Sequence, residues 1–221
     1  MSSVEDSSPM QPASSDVEKD EAIVAPQHEV QRKLGRSMLQ FQLYEQLLKA
    51  LLVHSEVSGT VDTLPKEREK RAEKLKLVTL GNLVASASKS LIRTSPLEDL
   101  PDSAVPPDKI HVHMRINFEV NPNEAALIEA DLKRLVELRN GLVHHFIERF
   151  DVFSIEGCHA ASEYLDECYV TIKAGYTQLR AWAEAVQQLQ QEAGAYIQSD
   201  AHKTLLKSKL RALTGAPNDP T

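Results

Sequence analysis

The sequence predicts a mostly all-α fold, an antiparallel helical bundle with one β-strand or hairpin excursion near residues 110–120. Through most of the chain, apolar residues recur at spacings of three and four, as on the buried stripe of an amphipathic helix. No proline occurs between Pro122 and Pro217, which favours long helices in that part of the chain. Only residues 110–120 alternate strictly between apolar and polar, which is typical of a strand with one buried face.

The charge of the chain is concentrated at one end. The chain has 221 residues and a formal net charge of -7, and residues 1–29 contain seven acidic residues and a single lysine. We predict that residues 1–29 form a disordered acidic tail, that residues 30–197 form the helical bundle, and that residues 198–221 form a short basic helix and tail. Because residues 30–221 are nearly neutral, broad salt-driven binding to nucleic acid is excluded, but a small phosphate site stays open.

Two other classes of protein, membrane-spanning and secreted, are excluded by the sequence. No apolar run approaches the ~18–20 residues that span a bilayer, and the N-terminal residues lack a secretory signal. We therefore expect a cytoplasmic protein that makes no contact with membranes. Cys158 and Cys168 lie on one predicted helix, about 15 Å apart along its axis, which is too far for a disulfide. We expect both to be reduced.

The first two helices precede the strand. Residues 30–57 carry an amphipathic pattern that ends before Ser58-Gly59. Pro65 suits the first turn of a second helix, which is predicted over residues 65–93. Residues 94–121 then insert a proline-rich loop and the strand into the bundle.

The predicted strand presents a pairing problem, because no clear second strand exists elsewhere in the sequence. A lone strand leaves its backbone donors and acceptors unpaired. It must fold back on itself, pair with an irregular segment or pair with another chain. His111 and His113 share its polar face, where two metal ligands could sit, but no nearby acidic residue or cysteine completes a set. We expect neither a metal nor a cofactor.

The remaining helices follow from capping signals and periodicity. The capping pattern at residues 121–124 begins a helix that is predicted to run to about Phe150. Another helix is predicted over residues 154–195, and a last short one is capped by Ser199 or Asp200. The last helix carries four basic residues, which we interpret as a solvent-exposed face, with contact to RNA as the alternative.

Arg139 lies at the middle of an apolar stripe on the third long helix. A guanidinium keeps its proton, and its burial is costly unless it is paired. We expect it to meet a carboxylate, a set of carbonyls or an anionic ligand at an interface. The alternative to a functional role is a structural ion pair or a snorkelling side chain. At about 100° per residue, the apolar neighbours of Arg139 on the helix surface are Leu132, Leu135, Val136, Leu142, Val143 and Phe146.

The residues after Arg139 add a motif. The segment RNGLVHHF at residues 139–146 resembles the signature of HEPN domains, and more specifically that of HepT-type toxins. Their motif is Arg, commonly Asn, three further residues, His, any residue and Tyr. Arg139, Asn140 and His144 match it in type and spacing. Phe146 stands at the Tyr position, so membership of HEPN domains broadly is better supported than membership of the HepT group.

The resemblance covers residues 30–195 in architecture, and it implies a HEPN-type bundle that cleaves RNA without a metal. It implies a toxin or phage-defence effector with an RNA substrate, in which two chains of a homodimer form the cleft and an antitoxin or a nucleotidyltransferase is the partner. In the HepT group the antitoxin transfers a nucleotide to the motif tyrosine, and Phe146 lacks the hydroxyl for this. Arg139 would stabilise charge on the phosphate, and His144 would move a proton of the ribose 2′-hydroxyl.

Two further residues support this site, and its geometry favours two chains. Asn140 could orient His144 or bind phosphate, and His145 could substitute for His144. Arg139 and His144 are five residues apart, or about 140° on a straight helix, so they would need to border a groove. Gly141 would permit the close approach of a second chain, or it is an ordinary packing glycine.

Three functions compete on this evidence. The first is the ribonuclease, with Arg139 and His144 as catalytic residues. The second is a non-catalytic HEPN-like adaptor that binds a protein or nucleotide partner, through the strand at 110–120 or the acidic tail. The third is a helical structural protein, which leaves Arg139 unexplained.

Overall fold

The computed structural model describes residues 14–60, 62–95 and 111–214. Within these ranges the chain is mostly helical with two small sheets of two strands each, which confirms the predicted all-α class with a β excursion. The helices are α1 (Ser14–His54), α2 (Leu64–Lys76), α3 (Leu80–Ser90), α4 (Pro122–His144), α5 (Phe146–Arg149), α6 (Ile155–Gln198) and α7 (Asp200–Thr214). The strands are β1 (Glu56–Thr60), β2 (Ile92–Arg93), β3 (His111–Arg115) and β4 (Phe118–Glu119).

Helix α1 begins earlier than predicted. It includes residues 14–29, which we expected in the acidic tail, and the rest of that tail lies outside the described residues. The side chain of Gln27 donates a hydrogen bond to the carbonyl of Val152 at 3.0 Å. Glu29 forms an ion pair with Arg32 at 2.7 Å, one turn further along the helix. Ion pairs one turn apart stabilise a helix whose surface is charged. The composition of such a segment is similar to that of a disordered one, so composition alone predicted disorder.

The helix predicted over residues 65–93 consists of two helices. α2 ends at Lys76, and α3 begins after Thr79, whose backbone is extended with φ −70° and ψ 156°. The change from charged to apolar composition near this point marks a boundary between helices that pack differently. α2 buries no residue, whereas α3 buries Leu80, Leu83, Val84 and Ala87.

The strand predicted at residues 110–120 pairs within the chain. β3 is antiparallel to β1, with Glu56 opposite Arg115 and Ser58 opposite His113. β4 is parallel to β2. β1 begins inside the stretch that we predicted as the end of the first helix, so that end was wrong. Most of the predicted proline-rich loop lies outside the described residues.

The capping predictions for the later helices are confirmed. Asn121 accepts a hydrogen bond at Oδ1 from the backbone N–H of Glu124 at 2.9 Å, and Glu124 accepts one at Oε2 from the N–H of Asn121 at 3.3 Å. Ser154 caps α6 by accepting at Oγ from the N–H of Gly157 at 3.0 Å. Ser199, the first of the two predicted caps, serves α7 by accepting from the N–H of His202 at 3.2 Å.

The chain divides into two compact units. The first contains the described residues up to Leu43 together with Arg134–Ala174, and the second contains Tyr44–Lys133 and the described residues from Gly175 onward. The core of the first unit is built from Val30, Phe41, Leu135, Leu142, Phe146, Cys158, Ala161, Leu165, Cys168 and Ile172. The core of the second is built from Tyr44, Leu48, Leu51, Leu52, Leu83, Leu91, Ile116, Leu132, Leu179 and Val186.

The structure also bears on the disulfide, membrane-spanning and metal-binding possibilities that the sequence analysis considered. Cys158 and Cys168 are both free, as predicted, and both are buried. Burial raises the pKa of the Cys168 thiol. No helix in the described ranges combines the length and apolar character needed to cross a bilayer. Across the same ranges, no three His, Cys, Asp or Glu side chains converge in a way that could hold a metal ion.

Candidate functional site

The four residues predicted for the site lie at the end of α4 and in the bend that follows it. Arg139, Asn140 and His144 belong to the last turns of α4, and His145 is the residue between α4 and α5. Arg139 is half-buried, and the other three side chains are exposed. All four belong to the first unit.

The helix predicted to reach Phe150 is interrupted at His145, whose φ of −126° and ψ of 6° depart from helical values. The N–H of His145 still donates to the carbonyl of Gly141 at 3.1 Å, and the N–H of Arg149 donates to the carbonyl of His145 at 3.1 Å. The bend therefore redirects the chain without a full break in backbone pairing. Phe146, immediately after it, is only 6% exposed and fixes the start of α5 in the core.

An aromatic cluster holds α5 against α6. The ring of Phe150 lies 5.2 Å from that of Tyr164, between centroids, and the guanidinium of Arg149 lies over the Tyr164 ring at 4.1 Å. Burial raises the pKa of the Tyr164 phenol, and its hydrogen bond with Cys168 adds to that shift. A Cβ placed on Gly141 would lie 3.9 Å from the Tyr164 hydroxyl, an ordinary contact distance. Gly141 is therefore not required by packing within the chain.

The apolar stripe on α4 is narrower than predicted. Leu135, Leu142 and Phe146 are buried, but Val136 is only half-buried and Val143 is 41% exposed. The two valines lie on one side of Arg139 in the helical projection, and Leu135, Leu142 and Phe146 lie on the other. Leu132, which is also buried, lies about 20° from Arg139 on the side of the valines. Arg139 therefore lies within the buried face, close to the side where the valines are exposed.

The guanidinium of Arg139 has no acidic partner among the residues that the structure describes. Its Nη1 donates to the side-chain oxygen of Asn140 at 3.5 Å, which is the long limit for a hydrogen bond. The structural ion pair that we considered for Arg139 is not present within the described ranges. A half-buried guanidinium without an acidic partner fits both an anionic ligand at an interface and a snorkelling side chain.

The two histidines face solvent next to each other. Their rings lie edge to face, with centroids 6.3 Å apart and an interplanar angle of 67°. Asn140, four residues before His144, is exposed as well, which agrees with the shared helix face that we predicted. Nδ1 of His145 lies 2.9 Å from Oε2 of Glu148. Sequence reasoning missed Glu148, although its spacing of three from a motif histidine is a readable signal.

Comparisons with known proteins do not bear on the motif. No family model, curated protein or solved structure matches this chain. The function is therefore inferred from the residues of the motif and their arrangement. These residues offer a cation without an acidic partner, an amide and two exposed imidazoles within one helix end. Such groups bind phosphate oxygens and transfer protons near neutral pH.

Exposed apolar side chains lie beside these polar groups. Val143 is 41% exposed and Ile147 is 73% exposed, and they are four residues apart along α4 and α5. The bend at His145 lies between them, and both border the exposed motif histidines in the sequence. Apolar side chains that remain exposed next to polar groups are typical of a surface that another molecule covers.

Proposed function

We propose that this protein is a metal-independent endoribonuclease of HEPN type that acts as a homodimer, in the manner of a toxin or a phage-defence effector. The observation that supports the proposal most directly is the arrangement at the end of α4. There the motif guanidinium of Arg139 has no carboxylate partner among the described residues, and His144 is exposed on the same helix end.

The reaction needs two proton transfers and one charge-stabilising group. A base removes the proton of the ribose 2′-hydroxyl, and the oxygen attacks the adjacent phosphorus. The bond from phosphorus to the 5′-oxygen breaks, and an acid protonates that oxygen. The products are a 2′,3′-cyclic phosphate and a 5′-hydroxyl. Arg139 stabilises negative charge on the non-bridging oxygens, and His144 transfers a proton.

The reaction needs a second proton-transfer group. One imidazole cannot accept one proton and donate another in the same step, so we propose that His144 of a second chain or His145 of the same chain takes part. The exposed Val143 and Ile147 beside the motif offer apolar surface for pairing of two such helix ends. A shared cleft also removes the difficulty that Arg139 and His144 point about 140° apart on one helix.

The test compares four variants of the full chain. Arg139→Ala and His144→Ala each remove a motif side chain. Arg134→Ala and His159→Ala remove the same residue types at exposed positions of α4 and α6 in the same unit. We expect wild type and both controls to cleave single-stranded RNA in the presence of EDTA. Each motif variant should cleave at least about 100-fold more slowly.

The products and the oligomer are measured on the same samples. End-group analysis should show 2′,3′-cyclic phosphates, and sedimentation should show a dimer. The ribonuclease proposal is wrong if wild-type protein cleaves no RNA, or if the motif variants cleave as fast as the controls. That result would favour the second candidate, a non-catalytic HEPN-like adaptor for a protein or nucleotide.

A further inference from the structure

A second group of basic side chains surrounds a cavity in the other unit, between β1 and α2. The cavity has a volume of about 250 Å³. This is slightly below the ~300 Å³ at which sites for drug-sized ligands begin, so a small ligand group fits it best. Its charged lining consists of Glu56, Glu67, Arg68, Lys70, Arg71 and Lys74.

The carboxylate of Glu56, in the lining, is already hydrogen-bonded to two arginines. Glu56 accepts hydrogen bonds from Arg71 and from Arg115, each at 2.8 Å. Burial raises the pKa of Glu56, but these two hydrogen bonds outweigh it, so its pKa lies below the ordinary value. Glu56 is thus ionised at neutral pH, and its charge is balanced by two guanidinium groups.

The other carboxylate is occupied as well. Glu67 pairs with Lys70 at 2.7 Å, and this contact holds the pKa of Glu67 below its ordinary value. Lys74 acts on the same carboxylate only from a greater distance, since no salt bridge joins them. Neither acidic residue of the lining forms a salt bridge with the two remaining basic residues, Arg68 and Lys74.

Arg68 and Lys74 remain without a salt bridge to any residue that the structure describes. Burial lowers the pKa of His54, the last residue of α1, and the positive charge of Arg68 lowers this pKa further. Four basic and two acidic side chains line the cavity, so it carries an excess of two positive charges in a chain of net charge -7. Like charges that line one cavity repel, and a bound anion would relieve the repulsion.

Helix α2 offers no packing reason for this arrangement. It buries no residue, although the helix lies against β1. Arg68, Arg71 and Lys74 recur at intervals of three, so they project from one side of α2. A guanidinium presents a planar fork of donors that matches phosphate oxygens, and a lysine adds a point charge.

We propose that the cavity between β1 and α2 binds phosphate groups, with Arg68 and Lys74 as the principal ligands. The phosphate belongs to an RNA backbone or to a free di- or triphosphate, since the same donors recognise both. The site lies outside the motif at residues 139–146, and it does not depend on the proposed nuclease activity.

The test measures binding in the full-length protein with two charge-matched double variants. R68Q/K74Q removes two positive charges from the lining. K66Q/K76Q removes two from the same helix at exposed positions outside the cavity. Inorganic pyrophosphate is titrated by calorimetry, and a short 2′-O-methyl RNA oligonucleotide, which this chemistry cannot cleave, is titrated by fluorescence anisotropy. Thermal unfolding of each variant confirms that it is folded.

We expect wild-type protein to bind pyrophosphate, R68Q/K74Q to bind it at least about tenfold more weakly, and K66Q/K76Q to stay within about threefold of wild type. If the oligonucleotide follows the same order, the natural ligand is a nucleic-acid backbone. If only pyrophosphate does, the ligand is a small phosphate. The proposal fails if wild type binds neither probe, or if the two variants weaken binding equally.

A second measurement reports on the cavity from inside the folded protein. Because the charge of Arg68 lowers the pKa of His54, a bound anion should raise that pKa, and so should Arg68→Gln. The titration of His54 is followed by NMR with and without pyrophosphate. A His54 titration that pyrophosphate leaves unchanged would rule out Arg68 as a ligand.

Discussion

The Nδ1 atom of His145 lies 2.9 Å from the Oε2 atom of Glu148, one helical turn further along the chain. The side chains are 66% and 75% exposed, so water screens the pair, which stabilises the fold by less than about 1 kcal/mol. The contact therefore orients the imidazole next to His144. The bend itself is held by the buried ring of Phe146.

Replacement of Glu148 by alanine should leave both stability and cleavage nearly intact. We expect the free energy of unfolding in urea to change by less than about 1 kcal/mol. We expect RNA cleavage to stay within about tenfold of wild type, because His144 and not His145 matches the motif. If Glu148→Ala abolishes cleavage as fully as His144→Ala does, His145 is the catalytic histidine.

Replacement of Phe146 by alanine should destabilise the protein strongly. The ring is 6% exposed and contacts Phe150, so its loss should cost about 3–5 kcal/mol in urea unfolding. The matched control is Phe153→Ala, at a ring that is 79% exposed, which should change stability by no more than about 0.5 kcal/mol. Equal effects of the two substitutions would show that Phe146 does not anchor α5.

Replacement of Gly141 by alanine separates packing within the chain from contact between chains. Within the chain the added Cβ meets an ordinary 3.9 Å contact, so we expect stability to rise by up to about 1 kcal/mol from helix propensity. Gly194→Ala, within α6, should raise stability by a similar amount, because nothing lies within 4 Å of a Cβ added there. If two motif helices approach closely, Gly141→Ala alone should weaken the dimer and slow cleavage. A Gly141→Ala protein that dimerises and cleaves like wild type would exclude close approach at this residue.

Alkaline pH should destabilise the second unit through Tyr44. The side chain is 1% exposed, and burial raises the pKa of its phenol above the ordinary value of 10.0. Above pH 10 the unfolded chain therefore loses this proton while the folded chain keeps it. The contribution of Tyr44 to the free energy of unfolding is therefore fully present below pH 10, and it falls by about 1.4 kcal/mol per pH unit above pH 10. Urea unfolding of wild type and Tyr44→Phe as a function of pH measures this, and Tyr44→Phe should lose stability less steeply. Identical slopes would contradict the assignment.

The features that depend on local sequence were predicted well. The Asn121–Glu124 cap and the start of α6 at Ser154 were predicted from residues that lie within one turn of each other. The exposed face shared by Asn140 and His144 followed from spacing alone. These features need no knowledge of distant parts of the chain, because the helix period and the capping hydrogen bonds are local.

Features that depend on tertiary contacts could not be read from the sequence. Strand β1 is five residues long and contains Gly59, and it is a strand only because β3 pairs with it. The bend at His145 interrupts a segment whose apolar pattern continues through Phe146, so periodicity reads it as a continuous helix. The half-burial of Arg139 likewise depends on which valines of α4 the rest of the unit leaves uncovered.

The pairing of β1 with β3 has a consequence for the order of folding. The hydrogen bond between Arg115 and Glu56 joins residues 59 apart in sequence. Forming this contact requires closing a long loop, and the loss of conformational entropy comes before the contact forms. Each helix, by contrast, forms through contacts within a few residues. The sheet should thus assemble after the helices. Arg115 is one of the two arginines that donate to Glu56, so the charges around the cavity between β1 and α2 are balanced only in the last stage of folding.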